Sequence, residues 1–421
     1  MSSALVLVLL VAVAYLATHV AYDWIAERLL IVSGAEYLVL GLLLGPQVAG
    51  LVSDATLESF RPVVTLALGW VGAIVGMQFY LPRLVAIPGL TYRLAFSEAV
   101  ATLGVITGLE LVAMRWLYGG TPRELLGPAL ALGAVGAASA PSGIAIVARR
   151  IGRRAPVLRQ LEVATAIDSL VAVVAFGLLL CVLHPPTPSL ARSPTPTEWA
   201  VISLAVGGVA GQLFHLFLGD ERNVDRLVVA LGGAVILASG TAAYLRLSPL
   251  LVCLTIGVVL VNTARGRHEI AAVLAKGERP FYYVLLIFAG ASWRPSANAA
   301  LLPVVLFLVA RVVVKVGAAR IATWASGALP VLGGRWGLAL FGQGGLALAL
   351  ALEYLRIEGA AYANVVFTAA VASVLLTDLA SARVVRSVLE PLLEPALPAE
   401  APVPAPPAAP SAPAAAGSEG R

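Results

Sequence analysis

Residues 158–183 read LRQLEVATAIDSLVAVVAFGLLLCVL, and this stretch decides the fold class. The run is long enough to cross a bilayer once, which takes about 20 mostly apolar residues in helical form. Its acid Asp168 lies deep in the run, well past the basic residue Arg159. A carboxylate at such a depth costs on the order of 3 kcal/mol or more, so it is normally functional or paired. The stretch therefore predicts a transmembrane helix that carries an ionisable site.

The composition extends this interpretation to the whole chain. Of the 421 residues, 60% are hydrophobic and 12% are charged, whereas a soluble domain carries roughly 25% charged residues. So little charge cannot cover a water-facing surface, and most of the outer surface must therefore meet lipid. The net charge of +5 does not indicate nucleic acid, because the basic residues lie in short loops between apolar runs.

Apolar runs of spanning length recur along the chain and predict an all-α polytopic membrane protein with about thirteen transmembrane helices. In chain order we place them at Ala4–Tyr22, Leu29–Val52, Pro62–Tyr80, Pro88–Leu117, Leu125–Ala148, Leu158–Leu183, Trp199–Leu218, Leu227–Leu245, Pro249–Thr263, Phe281–Trp293, Ala299–Thr323, Trp336–Leu355 and Ala360–Val385. Beyond Glu394 the sequence becomes rich in Ala and Pro. Residues 1–394 are therefore expected to form the transmembrane domain, and 395–421 a disordered cytoplasmic tail.

The basic residues orient these helices, because cytoplasmic loops of membrane proteins carry an excess of Lys and Arg. An outside N-terminus puts most basic residues in inner loops, including the cluster Arg149, Arg150, Arg153, Arg154 and Arg159. The outer loops then hold single arginines. The bias predicts a multi-pass protein of the cell inner (plasma) membrane, with a retained first helix, an outside N-terminus and a cytoplasmic C-terminus.

Two ionisable residues inside predicted spans are the first candidates for a site. Asp168 has Thr165 one turn earlier on the same helix face, and Ser169 follows it directly. Lys315 is one of only two lysines in the chain, and Arg311 precedes it by one turn. An arginine does not lose its proton in a protein, whereas a buried lysine can. For Asp168, the alternative to a functional role is an ion pair that only holds two helices together. For Lys315, the alternative is that its side chain extends to the membrane surface. We favour a functional role for both, because charges inside a membrane are functional by default.

Two helix-breaking stretches interrupt the fifth and twelfth spans. The first is Ser139–Gly143, which contains Pro141, and the second consists of Gly342, Gln343, Gly344 and Gly345. Irregular backbone at membrane depth is tolerated only where it faces protein or a wet cavity. Exposed carbonyls and helix ends at such breaks are typical ion ligands in secondary transporters. Because each break adjoins a span with a buried charge, the pattern predicts two related halves with a site between them.

Other acids in or near spans are weaker candidates, namely Glu36, Glu98, Glu110, Glu162 and Asp378. Glu98 and Glu162 are expected close to the cytoplasmic end, where water would solvate them, and Asp378 is expected to pair with a neighbouring helix. No residue pattern indicates a metal cluster, a nucleotide loop or a nucleophile–base pair. We therefore expect no enzyme, no cofactor and no metal beyond a transported cation.

Five phrases, taken in order, resemble the monovalent cation:proton antiporter superfamily, which includes the sodium/proton exchangers. They are GAEYLVLGLLLGP at 34–46, VGMQFYL at 75–81, LSPLLVCLTIG at 247–257, PFYYVLLIFAG at 280–290 and GQGGLAL at 342–348. No single phrase is decisive, but their order along residues 29–385 is.

The resemblance implies inverted repeats with two crossed discontinuous helices, and a scaffold that forms a homodimer. The family's ion-binding aspartate falls on Asp168, its first break on Ser139-Ala-Pro141 and its buried basic residue on Lys315. The family usually has two adjacent acidic or amide residues at the ion site. If Asp168 is the second of these, which the following apolar pattern favours, Ile167 replaces its partner. If Asp168 is the first, Ser169 replaces the second acid.

The expected function is exchange of a monovalent cation (Na⁺, Li⁺ or K⁺) for protons by alternating access. Asp168 would bind either the cation or a proton, and Lys315 would balance its charge when the site is empty. Ser139, Thr165 and opened backbone carbonyls would complete an oxygen shell for a hard cation. Two alternatives stay open: an organic-anion transporter of the same fold, and a membrane sensor without transport. The expected partners are the cation, the proton, the lipid bilayer and a second copy of the chain, with no nucleic acid.

Overall fold

The computed structural model describes residues 35–85, 87–141, 144–145, 156–186, 192–294, 301–325, 335–357, 359–360 and 362–389. Within these ranges the chain forms fifteen helices and no strand. We number them α1 (Ala35–Leu44), α2 (Asp54–Ser59), α3 (Arg61–Met77), α4 (Leu81–Val85), α5 (Gly89–Tyr118), α6 (Pro122–Ala137), α7 (Pro156–Val182), α8 (Pro196–Leu218), α9 (Val224–Tyr244), α10 (Pro249–Thr263), α11 (Arg267–Ser292), α12 (Leu301–Ala325), α13 (Trp336–Ala339), α14 (Gly344–Leu355) and α15 (Ala363–Leu389). The predicted first span, Ala4–Tyr22, and the tail at 395–421 lie outside the described residues.

Helices long and apolar enough to cross a membrane make up much of the fold. Five of the described helices meet this test, namely α5, α7 from Val157, α8, α9 and α12. The two parts of α15 bend by 49° and make a sixth if they count as one span. Helices α3, α10 and α14 are apolar but shorter. The chain is therefore an all-helical, multi-pass membrane protein, while the count of thirteen spans stays a prediction.

Polar caps decide where some of these helices begin. Thr121 accepts a hydrogen bond from the backbone N–H of Glu124, whose carboxylate accepts one from the N–H of Thr121 in return. An equivalent capping box at Thr195 starts α8. Such boxes satisfy N–H groups that the first helical turn leaves without partners. Both helices begin three residues before the apolar runs that predicted them, because hydropathy does not register polar caps.

The structure extends one short predicted span into a long helix. The apolar run predicts a helix over Phe281–Trp293, but α11 begins at Arg267 and continues through Pro280. Its first half carries Lys276 and Glu278, so a hydropathy criterion misses it. The helix is therefore much longer than its apolar part.

Glycines let two pairs of helices pack backbone to backbone. A Cβ atom on Gly257 of α10 would clash with the carbonyl of Ala73 on α3. A Cβ atom on Gly290 of α11 would clash with the carbonyl of Leu38 on α1. Small residues at helix contacts are typical of membrane bundles, where close packing replaces the hydrophobic effect.

The candidate site lies among helices α5, α6, α7, α12, α14 and α15. Helix α5 packs against α6, α7 and α12, and α6 also packs against α14 and α15. Their shared apolar core includes Ile106, Leu132, Phe176 and Phe307, all of them buried. This packing brings the two predicted breaks and both candidate charges to one place.

Candidate functional site

The two charges singled out in the sequence form an ion pair inside the bundle. The Nζ atom of Lys315 on α12 lies 2.9 Å from Oδ2 of Asp168 on α7. The side chain of Lys315 is 2% exposed and that of Asp168 is fully buried. Removing one partner of such a pair typically costs 3–5 kcal/mol, on the order measured for buried ion pairs. The pair therefore needs both members, or a substitute for the missing one.

A third charge, Glu98 on α5, belongs to the same cluster. Its Oε1 atom lies 3.3 Å from Nζ of Lys315, and the same oxygen accepts a hydrogen bond of 2.9 Å from the hydroxyl of Thr102. Glu98 is fully buried. The expectation that water solvates Glu98 is therefore wrong: its helix turns this residue inward, on one face with Leu94 and Thr102.

Glu162, the other acid expected to be solvated, lies at the surface. Its side chain is 50% exposed, and it pairs with Arg83 at 3.2 Å. The sequence offers one signal that separates the two acids. Glu98 has Thr102 one turn later as a hydroxyl partner among small and apolar neighbours, whereas Glu162 follows a run of arginines.

The two predicted helix breaks touch each other. Helix α6 ends at Ala137, and the next residues leave the helical path. The N–H of Ala140 donates a 2.8 Å hydrogen bond to the carbonyl of Gly342, and the hydroxyl of Ser139 donates one of 3.1 Å to the carbonyl of Leu340. The first break is thus bound directly to the stretch between α13 and α14.

The same contact positions the remaining break residues. Pro141 is exposed, and Gly143 lies outside the described residues. The amide of Gln343 donates a 2.8 Å hydrogen bond to the carbonyl of Val135, and its oxygen accepts one from the hydroxyl of Ser373 on α15. Gly344 has φ +60° and Gly345 lies against the ring of Tyr282. Whether the breaks belong to crossed, inverted halves stays a prediction.

Basic side chains of α12 bind the carbonyls that the breaks leave open. Lys315 donates to the carbonyl of Ala137 at 3.3 Å. The guanidinium of Arg311 donates to the carbonyls of Phe341 at 2.9 Å and of Ala138 at 3.4 Å. The last carbonyls of a helix have no partner within it and carry partial negative charge. One helix thus supplies positive charge to both breaks.

Asp378 on α15 supplies negative charge at the second break, where α12 supplies positive charge. Its Oδ1 atom accepts a 3.3 Å hydrogen bond from the N–H of Gly344, the first residue of α14. A carboxylate at a helix N-terminus is favourable because the first N–H groups lack partners and carry partial positive charge. Asp378 therefore supports the start of α14.

The hydroxyl groups near Asp168 differ in what they contact. Thr165 donates to the carbonyl of Glu162 in its own helix at 2.9 Å. Ser169 donates to the carbonyls of Thr165 at 2.8 Å and of Ser139 at 3.2 Å, so it joins α7 to the first break. The second carboxylate oxygen of Asp168, Oδ1, accepts no hydrogen bond from any described residue.

The neighbours of Asp168 also differ in their surroundings. Ile167 lies in an apolar cluster with Ala164, Ala319 and Trp336. Ser169, by contrast, contacts the first break. Which of the two residues stands in the place of the missing partner stays a prediction, and the sequence favours Ile167.

Fold and site define a class of protein. The chain is a helical, multi-pass membrane protein in which two helix breaks meet beside a buried lysine–carboxylate cluster, and it has the fold of a cation:proton antiporter. The solved structures that it resembles include the sodium proton antiporter MjNhaP1 from Methanocaldococcus jannaschii at pH 8. That match has a TM-score of 0.67 and 17% identity, and it covers 92% of this chain and 100% of the antiporter.

A structure of MjNhaP1 from an electron-microscopy map gives a TM-score of 0.65 at 17% identity, over 93% of this chain and 97% of that one. Both neighbours are transporters, not enzymes. No protein-family model and no curated protein matches the sequence.

Proposed function

We propose that the protein exchanges a monovalent cation for protons across the membrane by alternating access. One observation carries the proposal: the Lys315–Asp168 pair is buried at the contact between two helix breaks. The likeness in fold to a sodium proton antiporter supports the same function.

In this mechanism, the Asp168 carboxylate has two competing kinds of partner. Without cargo, Lys315 occupies Oδ2, while Oδ1 remains an acceptor directed into the protein. A cation that reaches Asp168 replaces the ammonium group, and a proton on Asp168 removes the charge that attracts the cation. Occupancy by one excludes the other, and this competition couples the two fluxes.

Backbone oxygens and hydroxyls near Asp168 would complete the cation's shell. The carbonyl of Ser139 lies next to α7 through its bond to Ser169, and the carbonyl of Ala137 already faces a positive group, Lys315. Oxygen ligands of this kind suit hard monovalent cations. The hydroxyls of Ser139 and Thr165 would have to turn from their present carbonyl partners to join that shell.

Proton flux in everted membrane vesicles tests the proposal, with Na⁺, Li⁺ and K⁺ added in turn. We expect at least one cation to drive proton movement without any organic solute. Flux that requires an organic anion would favour the anion transporter, and no ion-dependent flux would favour the sensor.

We infer in addition that the protein works as a homodimer in the plasma membrane.

The first prediction concerns Asp168. Asp168→Asn should abolish cation-driven proton flux, because the amide cannot take up a proton or balance a cation. The variant should still fold, since Lys315 keeps Glu98 as a second partner. Glu162→Gln on the same helix is the matched control, because that acid lies at the surface; it should leave flux unchanged. Wild-type flux from Asp168→Asn would refute the site.

A further inference from the structure

The lysine of the site has two carboxylate partners on two different helices, and the proposed exchange so far uses one. Nζ of Lys315 lies 2.9 Å from Asp168 on α7 and 3.3 Å from Glu98 on α5. Both acids are fully buried. Resting on the proposed function, we propose that Glu98 is the second acid of the transport site, and that Lys315 moves its main contact from Asp168 to Glu98 when a cation binds.

The balance of buried charge carries this proposal. Lys315 and Asp168 alone sum to zero, so a cation that joined them would leave an uncompensated positive charge in the membrane, which is costly. With Glu98 ionised, the three groups sum to −1. One monovalent cation or one proton then brings the cluster to neutrality, and a second would overcharge it.

The other groups around Glu98 fit this arrangement. Thr102 donates a hydrogen bond to Oε1 of Glu98, so this oxygen has a hydroxyl donor besides the ammonium group of Lys315. From α12, the buried Arg311 interacts electrostatically with Asp168, Glu98 and the buried Asp378, and its hydrogen bonds go to break carbonyls. The charges of Arg311 and Asp378 cancel, so the sum of −1 is unchanged when both are counted. From α6, the nearest polar group is the Ala137 carbonyl that Lys315 contacts. Among the described residues, Lys315 is the side chain that forms an ion pair with each of the two acids.

The two chain neighbours of Asp168, Ile167 and Ser169, carry no charge, and the second carboxylate within reach of Lys315 comes from Glu98 on another helix. Lysine suits the shared position because its ammonium is a compact charge on a flexible stem with three donors. It can stay bound to Glu98 while it leaves Asp168. The cation therefore does not have to expel the lysine's charge from the membrane.

The test measures the cation concentration that gives half-maximal proton flux, together with the maximal flux. Glu98→Gln makes the empty cluster neutral, so half-saturation should need about tenfold more cation or worse, as expected for loss of a nearby opposite charge. Maximal flux should change less. Glu98→Asp keeps the charge and should restore much of the affinity.

The double variant Glu98→Gln/Lys315→Gln separates charge from packing. It leaves Asp168 as the single charge of the cluster, which again sums to −1, so it should bind the cation more tightly than Glu98→Gln alone. Cation-dependent thermal stabilisation of the purified proteins reports binding even if a variant transports poorly.

Two results would overturn the proposal: unchanged half-saturation in Glu98→Gln, or a double variant no better than the single one. If Glu98→Gln does not fold, the double variant is compared with the wild type, because both clusters then sum to −1. Half-saturation close to that of the wild type supports the proposal, whereas tighter binding than the wild type, or no binding, overturns it. Failure of the wild type to move protons with any cation would instead refute the proposed function itself.

Discussion

At the scale of single residues, the site depends on charges whose partners come from other helices. Asp168 and Lys315 could be predicted because each lies deep in an apolar run, and a charge at that depth in a membrane helix is visible in the sequence. Glu98 could not, because its importance arises from the packing of α5 against α12. Arg311 was visible only as a neighbour of Lys315; its bonds to both breaks follow from the tertiary structure.

The prediction at this scale is that an arginine side chain cannot replace Lys315. Lys315→Arg should lower flux by about tenfold or more, because a rigid, planar guanidinium with five donors holds both acids and releases Asp168 less readily than the flexible lysine does. Vesicle flux measured against cation concentration checks this. The reverse exchange on the same helix, Arg320→Lys, is the control, since Arg320 is exposed. Equal flux from Lys315→Arg and wild type would mean that positive charge alone suffices.

At the scale of helices, the breaks were predicted as sequence features, and their contact was not. Gly and Pro identify where a helix stops, but they do not say which other backbone receives its open groups. In the structure, Ala140 and Ser139 bond to the second break, and Gln343 bonds back to α6. Helix starts were misplaced for a similar reason, since polar caps and the charged half of α11 carry no hydropathic signal.

The prediction at the scale of helices concerns Gly344, the first residue of α14. Its φ of +60° lies in the left-handed region, where other residues cost roughly 1–2 kcal/mol, and an added Cβ would lie 2.6 Å from the Cβ of Ala140. Gly344→Ala should therefore lower both the thermal stability of the purified protein and its flux. Gly317→Ala on α12 has open space around the new methyl group and should have little effect. A Gly344→Ala protein as stable and active as wild type would show that the contact between the breaks is not needed.

At the scale of the whole molecule, composition alone predicted a multi-pass helical membrane protein. The fold match to a sodium proton antiporter agrees with this at 17% identity. The number of spans and the direction of insertion remain predictions, since they depend on parts of the chain outside the described ranges.

Orientation is the prediction for this scale. The arginine cluster around Arg153 should face the cytoplasm, because positive loops stay on that side. A cysteine introduced as Arg153→Cys should resist an impermeant thiol reagent added to intact cells, and Arg192→Cys in a predicted outer loop should react. The native Cys181 and Cys253 are buried, so they add little background. Strong labelling of position 153 from outside would mean that the predicted orientation is wrong.

The contact of Arg311 with both breaks has a consequence for how the protein is made. Its guanidinium already meets the carbonyls of Phe341 and Ala138, so these groups do not wait for an ion from the medium. Newly synthesised chains can therefore form the contact between the two breaks without a bound ion.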